Sequence, residues 1–219
     1  MIYNFYKEVQ NFFPEFDYNA PVGDRSVLCN FNNPKNAVGH QQRAFSIFWA
    51  LKQCGPLDLG LDLGSHRGLT PYCMHIDLYY GNGKPHPFYD TARSYWTEET
   101  CADIVCDASQ LTPFPNNVFP LVTSNHSLEH MPGDDEAIIN MLCDQWLRVL
   151  RTGGILAMVI PDNDCFDVLA SDKDHKNAWG HTDFQWRILD KVLSRGQATL
   201  IEYNTLLNNF SFNVVLRKK

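Results

Sequence analysis

The sequence predicts an α/β fold: a mostly parallel, seven-stranded sheet with an antiparallel strand at one edge and a helical extension at its N-terminus. Three observations predict it. From residue 57 the chain breaks into apolar runs of strand length at 57–63, 72–76, 102–106, 119–124 and 155–160. Several of these lack polar alternation, as expected of strands covered on both faces in a parallel sheet. Between the fourth and fifth runs, Ile138, Met141, Leu142, Trp146, Val149 and Leu150 recur every three or four residues, the period of an amphipathic helix.

The elements follow in order. Phe5, Tyr6, Val9, Phe12 and Phe13 have helical spacing before Pro14, which predicts a helix over 1–16. Residues 30–36 (NFNNPKN) are turn chemistry. A second helix carries Ala44, Phe45, Phe48, Trp49 and Lys52 along one side and stops at Gly55-Pro56, where proline's missing N–H and fixed φ forbid continuation. The helix over 134–151 is expected to close at Gly153-Gly154. A further helix is predicted over 183–194, and 199–203 and 210–216 read as two final strands, antiparallel at the sheet edge. The whole chain, 1–219, reads as one domain: a helical extension to residue 56, a core over 57–162, and a C-terminal helix with edge strands over 163–219.

Composition narrows the function classes. The 219 residues carry a net charge of −7, so the phosphate backbone of nucleic acid is a poor partner. No stretch reaches the ~18 apolar residues of a membrane span, and no membrane partner is expected. The seven cysteines are scattered without a C-x-x-C pair, which predicts reduced thiols and a cytoplasmic protein.

The strongest local signal is LDLGSHRG at 61–68, directly after an apolar run. Glycines at a strand exit let the backbone turn sharply and approach a ligand closely. Asp77 ends the next strand, where a carboxylate can accept two hydrogen bonds from vicinal ribose hydroxyls. Asp77 lies only 13 residues beyond Gly64, against ~20 in a dinucleotide fingerprint, and Pro71 intervenes. The first crossover is therefore too short for the full helix whose N-terminus a pyrophosphate favours, which points to a nucleoside-like cofactor without phosphates. Asp107 and Ala108 end the third strand and suit an adenine, the carboxylate taking the amino group and the Ala108 N–H a ring nitrogen. Asp62, Asp77 and Asp107 are expected to stand in register as three acidic strand ends.

DASQLTPFPNNVF at 107–119, LVTSNHSLEH at 121–130, WLRVLRTGGIL at 146–156 and Pro161-Asp162 together resemble the class I S-adenosylmethionine-dependent methyltransferases, most closely a subgroup with LPFPDNSFD-like and LEH-like motifs. The resemblance spans about 57–162 and implies a Rossmann-like three-layer sandwich. It implies S-adenosyl-L-methionine as cofactor and S-adenosylhomocysteine as product. Asp62, Gly64, Ser65 and Gly68 would border the methionine part, Asp77 the ribose, Asp107 and Ala108 the adenine, and Asn125 the methyl group. This sequence departs from the family pattern at His66, which replaces the middle glycine of the first motif, and at Pro120, which stands in for an aspartate.

His126 and His130 flank Glu129 after the fourth strand and are the candidate catalytic bases, with His181 a weaker candidate for the acceptor side. The string HSLEH also matches H-x-x-E-H of zinc peptidases, but it follows a strand and precedes Pro132-Gly133, so no metal is assigned. Residues 78–101 read as an aromatic lid or a packed surface loop, and the N-terminal helices as a pocket cover or a homodimer face. The expected activity is methyl transfer, preferentially to oxygen, on a small-molecule or glycan acceptor. The rival reading is a catalytically silent module of the same fold that acts as a scaffold.

Overall fold

The computed structural model describes residues 37–65, 70–78, 102–205 and 211–219, with the side chains of the first helix described from Phe45. The helix expected over 1–16, the turn at 30–36, residues 66–69 (with His66 and Gly68) and residues 79–101 of the lid lie outside them.

The elements are α1 (Ala37–Gln53), β1 (Gly60–Leu63), β2 (Cys73–Asp77), β3 (Ile104–Val105), β4 (Phe119–Asn125), α2 (135–149), β5 (Leu150–Pro161), α3 (Val168–Ser171), α4 (181–194), β6 (Ala198–Thr205) and β7 (Ser211–Lys218). They form one seven-stranded sheet in the order β3-β2-β1-β4-β5-β7-β6. Pairings from β3 through to β5 are parallel, and β7 runs antiparallel to both β5 and β6. The antiparallel strand is thus the last but one, and β6 forms the edge. Strand order reverses between β1 and β4, the place where an open α/β sheet leaves a crevice beyond its carboxyl ends.

The two-residue period of a strand sorts side chains to two faces. In β5, Ile155, Ala157 and Val159 join Phe45, Phe48, Trp49 and Ala50 of α1 in one buried cluster. Leu156, Met158 and Ile160 point the other way, into the larger cluster with Ile138, Leu142 and Trp146 of α2 and Phe184 and Ile188 of α4. Helices therefore cover both faces, giving the three layers expected. Both α2 and α4 contain a π-helical turn, at Leu142–Trp146 and Gln185–Leu189.

One boundary differs from the sequence reading. The helix ends at Val149 and Gly153-Gly154 does not cap it; those glycines lie inside β5. Leu150 pairs with Phe119 and Ile155 with Leu121, so β5 bulges between them, and Gly153 takes the left-handed φ of +80° the bulge requires. A Cβ on Gly154 would lie 2.9 Å from the Arg151 carbonyl oxygen and 3.0 Å from that of Phe119. Pro120 falls in the same irregularity, where a missing N–H costs no ladder bond.

The start of α2 is tied to α4 by Asp135. Its carboxylate receives two hydrogen bonds from Arg187, Nε at 2.8 Å and Nη2 at 3.0 Å, and one from the Trp179 indole at 3.0 Å. Burial alone would raise the Asp135 pKa, but the hydrogen bonds from Arg187 and Trp179 and the charge on Arg187 outweigh it, and the pKa lies below its usual value. A carboxyl depressed in the folded state stabilises fully above the unfolded pKa of about 3.9, and that contribution drains away as pH falls through the lower folded value. Arg187→Ala is expected to cost about 1–2 kcal/mol at pH 7 in urea unfolding. The gap from wild type should narrow as pH falls below about 4; a gap that stays constant or widens there would show that the pair does not govern the docking of α4.

Candidate functional site

The site lies at the carboxyl ends of β1 to β4. β1 is buried along its whole length and leaves the sheet at Gly64, whose φ is +68°. The Gly64 and Ser65 N–H groups both donate to the Ile76 carbonyl, at 2.8 and 3.2 Å, so the bend is fastened to the end of β2. From the other side the Ser127 hydroxyl donates to the Leu63 carbonyl at 3.0 Å. An ideal Cβ on Gly64 would sit 2.0 Å from that hydroxyl oxygen, so both torsion and space demand glycine.

Around this bend lie most of the residues read from sequence. Ser65 carries a buried hydroxyl without a hydrogen-bond partner among the described residues. Asp77 ends β2 half-buried, and its carbonyl accepts the Cys106 N–H at 3.1 Å. Asp107 uses Oδ1 to accept the Ser109 N–H at 2.8 Å, which shapes the turn after β3. Ala108 is buried, and Asn125 ends β4.

The three aspartates are not in register. Asp62 pairs with His75, two residues short of Asp77, while Asp77 pairs with Val105, two residues short of Asp107. At ~3.3 Å per residue the carboxylates climb in steps of about 7 Å across the strand ends. Asp62 is buried inside β1 and accepts the Thr70 hydroxyl at 2.7 Å, bracing the short first crossover.

Two side chains of α2 that sequence periodicity assigned no site role hold the loop after β3. The Trp146 indole donates to the Ala108 carbonyl at 2.8 Å. Arg148 donates to the carbonyls of Leu111 at 2.6 Å and Phe114 at 2.8 Å and to the Asn116 side chain at 2.6 Å. Periodicity marks Trp146 as core, but it carries no sign of where the indole N–H goes.

On the other side of the bend, His126 turns the chain out of β4 with a φ of +51° into a 3₁₀ turn at Leu128–His130. His126 Nε2 is 2.7 Å from the Ser211 hydroxyl on β7. The centre of this region is Glu129, fully buried, with neither carboxylate oxygen hydrogen-bonded by another of the described residues. Its Oε1 lies 3.9 Å from His126 Nδ1, 3.9 Å from His130 Nε2 and 3.8 Å from His175 Nε2. His175 was not anticipated. It comes from the polar segment after α3, folded back because the Glu129 carbonyl accepts the N–H groups of Lys176 at 2.8 Å and Asn177 at 3.0 Å. Burial pushes Glu129 up to about 8 and His126 down to about 3, with His175 and His130 adding to the latter. His130 is lowered by burial and then by His175. His181 stands apart from the cluster: its ring stacks on Tyr203 at 4.7 Å and its N–H donates to Asp162.

Residues 61–158 match the family model described as a methyltransferase domain. No curated protein matched the sequence. Among solved structures the chain is similar to the PH0226 protein from Pyrococcus horikoshii OT3, with 18% identity and a TM-score of 0.56 over 97% of this chain and 99% of that one. It is also similar to geranyl diphosphate C-methyltransferase from Streptomyces coelicolor A3(2), solved with Mg2+, geranyl diphosphate and S-adenosyl-L-homocysteine. There the identity is 12% and the TM-score 0.54, over 99% of this chain and 98% of that one. Among the described residues no helix is long and apolar enough to cross a membrane.

The bend generates a prediction. Gly64→Ala must displace Ser127 or the strand exit and adopt an unfavourable φ, so it is expected to cost about 1–3 kcal/mol in chemical unfolding. A variant as stable as wild type would show that the Ser127–Leu63 contact does not constrain the turn.

Proposed function

We propose that this chain, which belongs to the class I S-adenosylmethionine-dependent methyltransferases, moves a methyl group to a hydroxyl oxygen of a small molecule or glycan. The observation that carries the reading is the pairing of a glycine bend, bearing a Ser65 hydroxyl buried and unpartnered among the described residues, with the Asp77 carboxylate at the neighbouring strand end. These residues fit the family's cofactor. Asp77 would hold the ribose hydroxyls, Asp107 and Ala108 the adenine, and Asp62, Gly64, Ser65 and Gly68 would border the methionine end, with Asn125 beside the reacting carbon.

When bound, S-adenosylmethionine supplies an electrophilic methyl group on a sulfonium. The chain's share of the work is alignment, exclusion of water and removal of one proton. The acceptor oxygen forms the new carbon–oxygen bond as the carbon–sulfur bond breaks, its electrons remaining on sulfur to leave S-adenosylhomocysteine. The hydroxyl proton would pass to His126 or His130, each about a quarter exposed. His126 is a weak base, yet it suffices late in transfer, because a hydroxyl oxygen already bonded to methyl has oxonium character and is a far stronger acid than an imidazolium. Burial also keeps His126 neutral and ready across the physiological range. The acidic net charge supports a small-molecule or glycan acceptor over nucleic acid.

The test is calorimetry with S-adenosylhomocysteine on wild type and Asp77→Ala. The variant is expected to bind more than tenfold more weakly, a loss of about 1.4 kcal/mol or more. Equal affinity would remove Asp77 from the ribose site, and no binding by wild type would overturn the enzymatic reading.

A further inference from the structure

We propose that Glu129, His130 and His175 bind one divalent transition-metal ion of the zinc type. Their donor atoms lie within 4.8 Å of one another, and Glu129 is fully buried while the two histidines are partly so. The tautomers are set for ligation. His130 Nδ1 is 3.2 Å from the Asp174 carbonyl and His175 Nδ1 is 2.6 Å from the Val168 carbonyl. A carbonyl can only accept, so each Nδ1 carries the hydrogen and each Nε2 presents a lone pair. A backbone carbonyl behind a histidine is the usual support of a metal-binding imidazole.

Both lone pairs face the same carboxylate oxygen, at 3.9 and 3.8 Å. Those gaps are too long for a hydrogen bond, so a proton on Glu129 cannot bridge them. They are close to what a cation spans. With metal–ligand bonds of about 2.0–2.1 Å, a tetrahedral ion sets neighbouring ligand atoms about 3.3 Å apart. Loading the site therefore asks the two Glu129–histidine gaps to close by roughly half an ångström, and the two histidine nitrogens, which lie within 4.8 Å of each other, by at most about 1.5 Å. The same ion would also relieve the buried carboxylate oxygens of their missing partners.

Two imidazoles and one carboxylate suit Zn2+, Co2+ or Fe2+; Mg2+ prefers an all-oxygen octahedral shell. His126 Nδ1, 3.9 Å from the same carboxylate oxygen, is placed to join as a further donor or to remain as the base. Three protein ligands leave a position open. If the methyl-transfer reading holds, that position would take the acceptor hydroxyl and lower its pKa. The binding itself does not depend on that reading. The set is not that of the H-x-x-E-H string, whose ligands would be His126 and His130 on one helical face; here Glu129 and His130 come from a 3₁₀ turn and His175 from a returning loop.

The test uses the full chain, stripped with chelator, and Zn2+ or Co2+ alone. Calorimetry and elemental analysis after dialysis are expected to give one ion per chain, and Co2+ should show the intense visible bands of a four- or five-coordinate site. His175→Ala and His130→Ala should each weaken binding by on the order of a hundredfold, while His181→Ala, outside the cluster, should bind as wild type. Where either alanine variant fails to fold, Glu129→Gln replaces it, since it keeps the side chain's shape and removes the anionic donor. The proposal is overturned if wild type takes up no stoichiometric ion, or if the cluster variants bind like wild type. Because no cofactor is present in these titrations, a failure here leaves S-adenosylhomocysteine binding untouched, and the converse also holds.

Discussion

The hydrogen bond from the Ser127 hydroxyl to the Leu63 carbonyl stitches β1 to the turn that leaves β4, and both halves of the site are arranged around it. On one side it fixes the Gly64 bend against which a nucleoside would lie. On the other it fixes the first residue after His126, and so the heading of the 3₁₀ turn that presents Glu129 and His130. The contact is possible only because strand order reverses between β1 and β4.

The energetics divide along the same line. The cofactor side is built mostly from backbone groups and short polar side chains satisfied by neighbours: Thr70 on Asp62, Ser109 on Asp107, Trp146 on Ala108. It is rigid because α2 is packed in the larger core and reaches out with Trp146 and Arg148. The acceptor side stores cost. A fully buried carboxylate with no donor from another residue is expensive in a low-dielectric interior, and the raised Glu129 pKa expresses that expense. Among the described residues no other side chain donates to it, a condition it shares with the buried hydroxyls of Ser65 and Ser124 but at the greater cost of a charge.

Much of this was legible in the sequence because period and punctuation are local. The apolar runs gave the strands, the three-to-four spacing gave α2, and the Gly64 bend stands where LDLGSHRG placed it. Gly153-Gly154 misled because glycine after a helix usually caps it; here the φ of +80° serves a bulge set by contact with Phe119, a residue of another strand. The stagger of Asp62, Asp77 and Asp107 was hidden for a related reason, since register belongs to pairs of strands and not to either one. His175 was least legible. It lies 45 residues beyond His130 in a charged segment that reads equally as a border of the acceptor pocket or as solvated loop, and hydrogen bonds to the Glu129 and Met131 carbonyls and from His130 to the Asp174 carbonyl bring it in. The residue that most departs from the family pattern, His66, lies outside the described residues.

The central claim is that the bend at Gly64 and the strand end at Asp77 are two walls of one nucleoside site. A crystal of the protein soaked with S-adenosylhomocysteine tests it most directly. The account predicts density with the ribose hydroxyls on the Asp77 carboxylate, the adenine beside Ala108 and the amino-acid end over Ser65. Density at another place on the protein, or an orientation that leaves Asp77 untouched, would contradict it.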